Sequence, residues 1–404
     1  MKLRAKLVVI ALSISPLFVM PVNAAVKDGA SCSQNGSIAK ANNFQYRCIK
    51  LGKKLTWQKI ADQIVSKQEI YYRLNNGELE RRAFSGAYFK SDSRSVKNFS
   101  PVRAKAYTEM NNLSKSSSSS FNLLLDLRTG FPTEIREYNL RKIRESFAIW
   151  SKYVSGPVDV KVLLATERDL SYIRDLGEFF SDAEGAMDRL AKLNPARENV
   201  WITGSAGYFP DRGVLTGKLF LGTRSEAKTE RYSPEWIQVA VHETFHVIQD
   251  LWIAGTRNDS HQAYQARRPQ HYTEGAANFV GYSLSSNNLG WYSDAMDISL
   301  ARYWNYIRGW KPAKTESDII NLLIATETNE SQQAFELSYP LGSLFYEWIT
   351  GTYGVAKFIE LSSETKNYPN FEDNVKKVFG VSKRELYSQS APYILSVFKR
   401  IGIS

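Results

Sequence analysis

Residues 233–255 constrain the fold of this chain more than any other stretch. They read as one helix with both ends marked. Ser233 is a suitable N-cap, Pro234 fits the first helical position, and Glu235 complements the positive end of the dipole. Gly255 suits the position just past the C-terminus. Ile237, Val241, Thr244, Phe245, Ile248 and Trp252 recur at spacings of three and four, the signature of an apolar face. Beside that face lie His242, Glu243 and His246. Side chains four residues apart stand one above the other on a helix, so both imidazoles can reach one metal ion. Glu243, one residue round, is placed to take a proton from a water on that ion. The whole chain has only four histidines. Two histidines and a glutamate on a solvated helix face would be the plain structural reading.

The first 24 residues have the layout of an export signal. Lys2, Arg4 and Lys6 form a positive start, Leu7 to Met20 an apolar stretch broken by Pro16, and Val22-Asn23-Ala24 a cleavage site. No other stretch approaches the ~18 apolar residues of a membrane span, so the expected product is secreted, with no transmembrane segment. Removing the signal takes away three positive charges and lowers the net charge from +11 to +8. That balance favours anionic partners such as cell-surface polymers or lipid headgroups. A soluble protein that happens to be basic has the same composition. No basic run is interleaved with aromatics, so nucleic acid is not an expected partner.

Cys32 and Cys48 are the two cysteines. In an oxidising compartment such a pair implies a disulfide, worth about 3 kcal/mol by chain entropy. Residues 25–59 alternate short β-type runs with turns and end in Gly52-Lys53-Lys54-Leu55-Thr56-Trp57. The stretch resembles a Cys-loop module found at the N-termini of secreted actinobacterial proteins. Residues 60–120 read as a connector, helix-like from Ile60 to Arg82 and closing on Lys115 and five serines.

From Phe121 the pattern becomes regular. Phe121–Leu127 and Val158–Ala165 read as strands, Glu134–Tyr153 as a helix, and 167–176 as a further helix. Asn199–Thr203 and Lys218–Thr223 read as short strands. The metal helix follows, then a mainly helical half. The expected fold of residues 121–404 is therefore α+β, with a small mixed sheet and segregated helices. Lys218–Thr223 is the expected sheet edge for an extended peptide.

A catalytic zinc site needs a third protein ligand. Asp250, His261, His271 and Glu274 are the downstream candidates, with Asp250, one turn past His246, better suited to orienting a ligand than to binding metal. Here the chain resembles the gluzincins, metallopeptidases that pair HExxH with a glutamate from the next helix. The matching stretches are His242-Glu243-Thr244-Phe245-His246 and Thr273-Glu274-Gly275-Ala276-Ala277, with a third from Ser338 to Trp348, followed by Thr352-Tyr353-Gly354. The resemblance implies a zincin-like fold and Zn²⁺ held by His242, His246 and Glu274. Glu243 becomes the general base and Tyr339 the oxyanion stabiliser, and the substrate is a peptide or protein. Two departures stand out. There are 27 residues between His246 and Glu274, with Arg257, Arg267 and Arg268 as a candidate substrate rim. Asn278 stands where several gluzincins carry an aspartate behind a zinc ligand, which leaves Asp250 as a substitute. The alternatives are a non-catalytic surface-binding protein that keeps the fold, and a zinc hydrolase acting on a non-peptide bond.

Overall fold

The structure is a computed structural model. It describes residues 27, 30–34, 38–41, 44–51, 54–60, 99–113, 120–155, 157–192, 203–211, 214–225, 236–254, 266–286, 288–306, 313–328 and 330–403. The signal-like segment, the helix expected over Ile60–Arg82 except Ile60 (which ends a strand), the serine run before Ser120, Ser233 to Glu235, Gly255, Arg257 and His261 all lie outside these residues. The described residues fall into two compact units, one within Met1–Asp62 and one within Gln63–Ser404.

The first unit is a three-stranded antiparallel sheet of β1 (Ile38–Ala41), β2 (Phe44–Leu51) and β3 (Lys54–Ile60). Cys48 stands opposite Trp57 in the register, is fully buried, and forms the disulfide to Cys32. The backbone beside Cys32 is tied to β3 through Cys32 N to Leu55 O (3.1 Å) and Trp57 N to Ala30 O (2.6 Å). A sheet this small buries too little apolar surface to stand alone, so the disulfide supplies part of its stability.

The second unit begins with α1 (Pro101–Asn111), which lies in the stretch expected as a connector but packs into the helical core. Arg103 is the reason. It is 1 % exposed and meets Glu347 at 2.8 and 3.2 Å and Asp297 at 2.7 Å. The charged group is thus taken out of water only because two carboxylates receive it.

The sheet of this unit runs β4-β5-β7-β6. Strands β4 (Phe121–Leu127), β5 (Val158–Thr166) and β7 (Val214–Thr223) are parallel, and β6 (Thr203–Asp211) is antiparallel to β7. The long α2 (Thr133–Trp150) links β4 to β5; α3 (Leu170–Asp175) and α4 (Ser181–Lys192) precede β6. A sheet with parallel strands needs cover on both faces, and the period-two alternation supplies it. Val160, Val162, Leu219 and Leu221 join the main core, whereas Leu163, Ala165 and Phe220 join Ile173, Ala186, Met187 and Leu190 on the other side. Lys218–Thr223, the expected edge, is therefore interior. Among the described strands β6 is the outer one on this side, because a later strand, β7, inserts between it and β5.

After the sheet comes α5 (Trp236–Trp252), which carries His242, Glu243 and His246. Its apolar stripe is anchored by Phe245, which lies against Trp150 (5.0 Å between ring centroids), Trp252 and Phe358. The rest of the described residues are mainly helical. A π-turn, His271–Gly275, runs directly into α6 (Ala276–Ser285). There follow α7 (Leu289–Tyr306), α8 (Glu316–Ala325), α9 (Gln332–Tyr353), α10 (Val355–Ser363), α11 (Phe371–Phe379) and α12 (Lys383–Ile401). The architecture is α+β, as expected. Among the described residues, no helix is long and apolar enough to cross a membrane.

Candidate metal centre

Two helices and the π-turn build the site. From α5, His242 and His246 direct their Nε2 atoms to one point, 2.9 Å apart. From the π-turn, Glu274 brings Oε2 to 3.4 Å from His242 Nε2 and 3.3 Å from His246 Nε2. Metal bonds of ~2.0–2.2 Å at tetrahedral angles put neighbouring donor atoms about 3.3–3.6 Å apart. The triangle formed by His242, His246 and Glu274 has nearly that size. This group could hold a metal ion, and it is the only such His/Cys/Asp/Glu group among the described residues. Two neutral imidazoles and one carboxylate are a donor set that suits zinc.

The tautomer of His246 is fixed by Gln249. The Gln249 nitrogen donates to the carbonyls of Tyr272 (3.1 Å) and Thr273 (3.2 Å). Its oxygen is thereby turned to His246 Nδ1, at 2.8 Å. Nδ1 must carry the proton, which leaves the Nε2 lone pair for the site. Asp250, expected in this role, instead pairs with Arg268. The signal for Gln249 was in the sequence: it lies three residues after His246, on the same face of the helix. Asn278 does stand beside His242 and favours its charged form, but Nδ1 of His242 has no aligned hydrogen bond.

Tyr339, on α9, reaches the cluster. Burial and then the nearby Glu274 carboxylate hold its hydroxyl well above the ordinary phenol range, and its ring lies parallel to His242 (6.1 Å between centroids, 7°). Tyr303 of α7 stacks on the far side of Tyr339 (5.8 Å, 7°). A close helix crossing makes this reach possible. A Cβ on Gly275 would stand 2.4 Å from the Gly342 Cα, and one on Gly342 would stand 2.3 Å from the His271 carbonyl oxygen. Glu274 precedes the first glycine, and Tyr339 lies one turn before the second.

Burial and mutual charge set the protonation of these groups. Burial, reinforced by Glu274 and Asp182, pushes the Glu243 carboxyl up to about 8, against an opposing pull from His246. Burial works against ionised Glu274 too, but His246 and His242 outweigh it and hold that carboxyl far below its ordinary range. For His246, burial is outweighed by Glu274, and the value rises to about 9. Burial and the neighbouring His246 lower His242.

The other candidates go elsewhere. His271 is fully buried among Phe345, Phe371 and Tyr387, with Nε2 at 2.6 Å from the Tyr387 hydroxyl. Burial, then Lys383, depresses it to about 3, so it is neutral and structural. Arg267 donates to the carbonyls of Lys366 and Tyr368. Arg267 and Arg268 are thus bound within the fold rather than lining a rim.

No family model, no curated protein and no solved structure matches this chain.

Proposed function

We propose that the protein is a zinc-dependent metallopeptidase of gluzincin type. One observation carries the reading: three donor atoms, from His242, His246 and Glu274, form a triangle of metal-binding size beside a buried Glu243. A zinc ion held there supplies Lewis acidity and a water of lowered pKa. Glu243 accepts the proton of the attacking water and passes it to the leaving amine. Tyr339 donates its hydroxyl hydrogen to the oxyanion that develops on the scissile carbonyl; one such donor is worth roughly 3 kcal/mol. Strand β6, the outer one of the described strands on this side, passes Glu243 at Gly204, and an extended peptide adds there as a further strand.

The Cys32–Cys48 disulfide supports the reading of residues 1–24 as an export signal, since such bonds persist in oxidising compartments. The basic balance of the chain supports association with anionic cell-surface polymers.

The test is metal content and turnover together. The purified protein should carry one zinc per chain and hydrolyse fluorescein-labelled casein. Glu274→Ala should lose the metal. Glu243→Gln should keep it and lose turnover. A metal-replete preparation without zinc, or undiminished turnover in Glu243→Gln, would overturn the proposal.

A further inference from the structure

Glu243 packs against backbone. Gly204 of β6 lies so close that a Cβ there would stand 2.4 Å from Cγ, 2.6 Å from Cδ and 2.6 Å from Oε1 of Glu243. The register explains the approach. Gly204 is opposite Leu221 and Ala206 opposite Leu219, and those leucines belong to the core shared with α5. On this face the outer strand carries small residues where it crosses the metal helix. One helical turn after Glu243, a Cβ on Gly217 of β7 would come within 2.9 Å of Val247 Cγ1. The two glycines therefore seat the same helix on two adjacent strands. Their neighbours differ: Gly217 meets only methyl groups, of Val247 and Val160, whereas Gly204 meets the carboxyl end of Glu243.

We propose that Gly204 is a positioning residue for Glu243. The bare strand forms a roof over the carboxylate where α5 carries it between His242 and His246. Any side chain at 204 displaces it, since ordinary contact begins near 3.4 Å and Cγ would have to retreat by about 1 Å. Glycine is required at this position by the space Glu243 occupies, not by backbone conformation, because Gly204 is absent from the glycines with positive φ among the described residues. The inference rests on the reading of Glu243 as proton acceptor.

Three variants test it: Gly204→Ala, Gly217→Ala, and Gly204→Ala combined with Glu243→Ala. Gly204→Ala should bind Co²⁺ at the parent stoichiometry, and its crystal structure should show the Glu243 carboxyl displaced. Casein turnover should fall about 100-fold through kcat, the lower range for loss of a general base, whereas Gly217→Ala stays within about threefold of the parent. Gly204→Ala should lower the melting temperature of the parent yet leave that of Glu243→Ala unchanged, because the colliding side chain is then gone. If the single variant does not fold, the double variant should. A Gly204→Ala structure with Glu243 in place and β6 shifted instead, or equal melting shifts in both backgrounds, would overturn the inference. If the parent itself cleaves nothing, the enzymatic reading fails, and the crystal structure and melting cycle still decide whether Gly204 places Glu243.

Discussion

The carboxamide oxygen of Gln249 meets Nδ1 of His246 at 2.8 Å while the nitrogen of the same group holds the π-turn by two backbone carbonyls. One side chain thus links the helix that carries two of the candidate donors to the turn that carries the third. Replacing Gln249 by Ala should weaken zinc about 10–100-fold, the usual effect of losing a group that orients a metal-binding histidine. Competition against a chromogenic chelator measures it. Unchanged affinity would show that the π-turn holds itself.

Metal binding should release protons. With its partners Glu274 and Glu243 the His246 imidazole is raised to about 9, so in metal-stripped protein it is charged at pH 7, and a ligand must be neutral. Zinc uptake at pH 7 should therefore expel about one proton from this group. Apparent affinity should fall as pH drops below 9. The same raised value contributes stability to the metal-stripped protein that is fully present below the ordinary histidine range and disappears as pH rises through 9. Calorimetry in two buffers of different ionisation enthalpy counts the protons. A buffer-independent heat at pH 7 would contradict the assignment.

The helical half should depend on Arg103. This residue joins α1 to Glu347 on α9 and Asp297 on α7, and Tyr393 and Arg400 of α12 bind the same carboxylates. Arg103→Ala leaves two buried carboxylates short of a partner and should cost about 3–5 kcal/mol. Arg103→Met also removes the charge and should do no better. Urea unfolding reads the loss, with zinc stoichiometry of the folded protein unchanged.

Gly342→Ala should loosen the crossing that brings Tyr339 to Glu274. The added methyl meets the His271 carbonyl oxygen, a backbone atom that cannot swing away. A destabilisation of about 1–3 kcal/mol is expected from overpacking. Zinc affinity should fall with it, because Glu274 is three residues along from that carbonyl. A variant with lower stability and parental zinc affinity would uncouple the crossing from the site.

Period made helix α5 legible, and His242 and His246 with it. Strand β5 was legible because its buried run is β-branched and long enough for one strand. Strand β6 was legible only at Thr203, the last residue of the expected strand Asn199–Thr203: Gly204, Gly207 and Pro210 are residue types that interrupt a strand, and an outer strand tolerates them. Its place outside β7 is a long-range pairing with no local signal. Helix α1 was hidden for another reason. Its buried stripe, Arg103, Ala106 and Met110, has an arginine in it, and only the distant Glu347 and Asp297 make that residue a core position. Gln249 lost out to Asp250 because a carboxylate is the commoner partner of a ligand histidine. Arg268, 18 residues downstream, takes that carboxylate.

Glu274 stands on the single described turn wound as a π-helix, the five residues His271–Gly275. Such a turn holds one residue more than an α-turn of the same span. Deleting one of the other four lets the segment close as an ordinary α-turn with both flanks still in register, because four residues at ~100° each turn the chain about as far as five in the wider coil. The candidate metal site therefore includes a stretch of chain one residue longer than the helix itself requires.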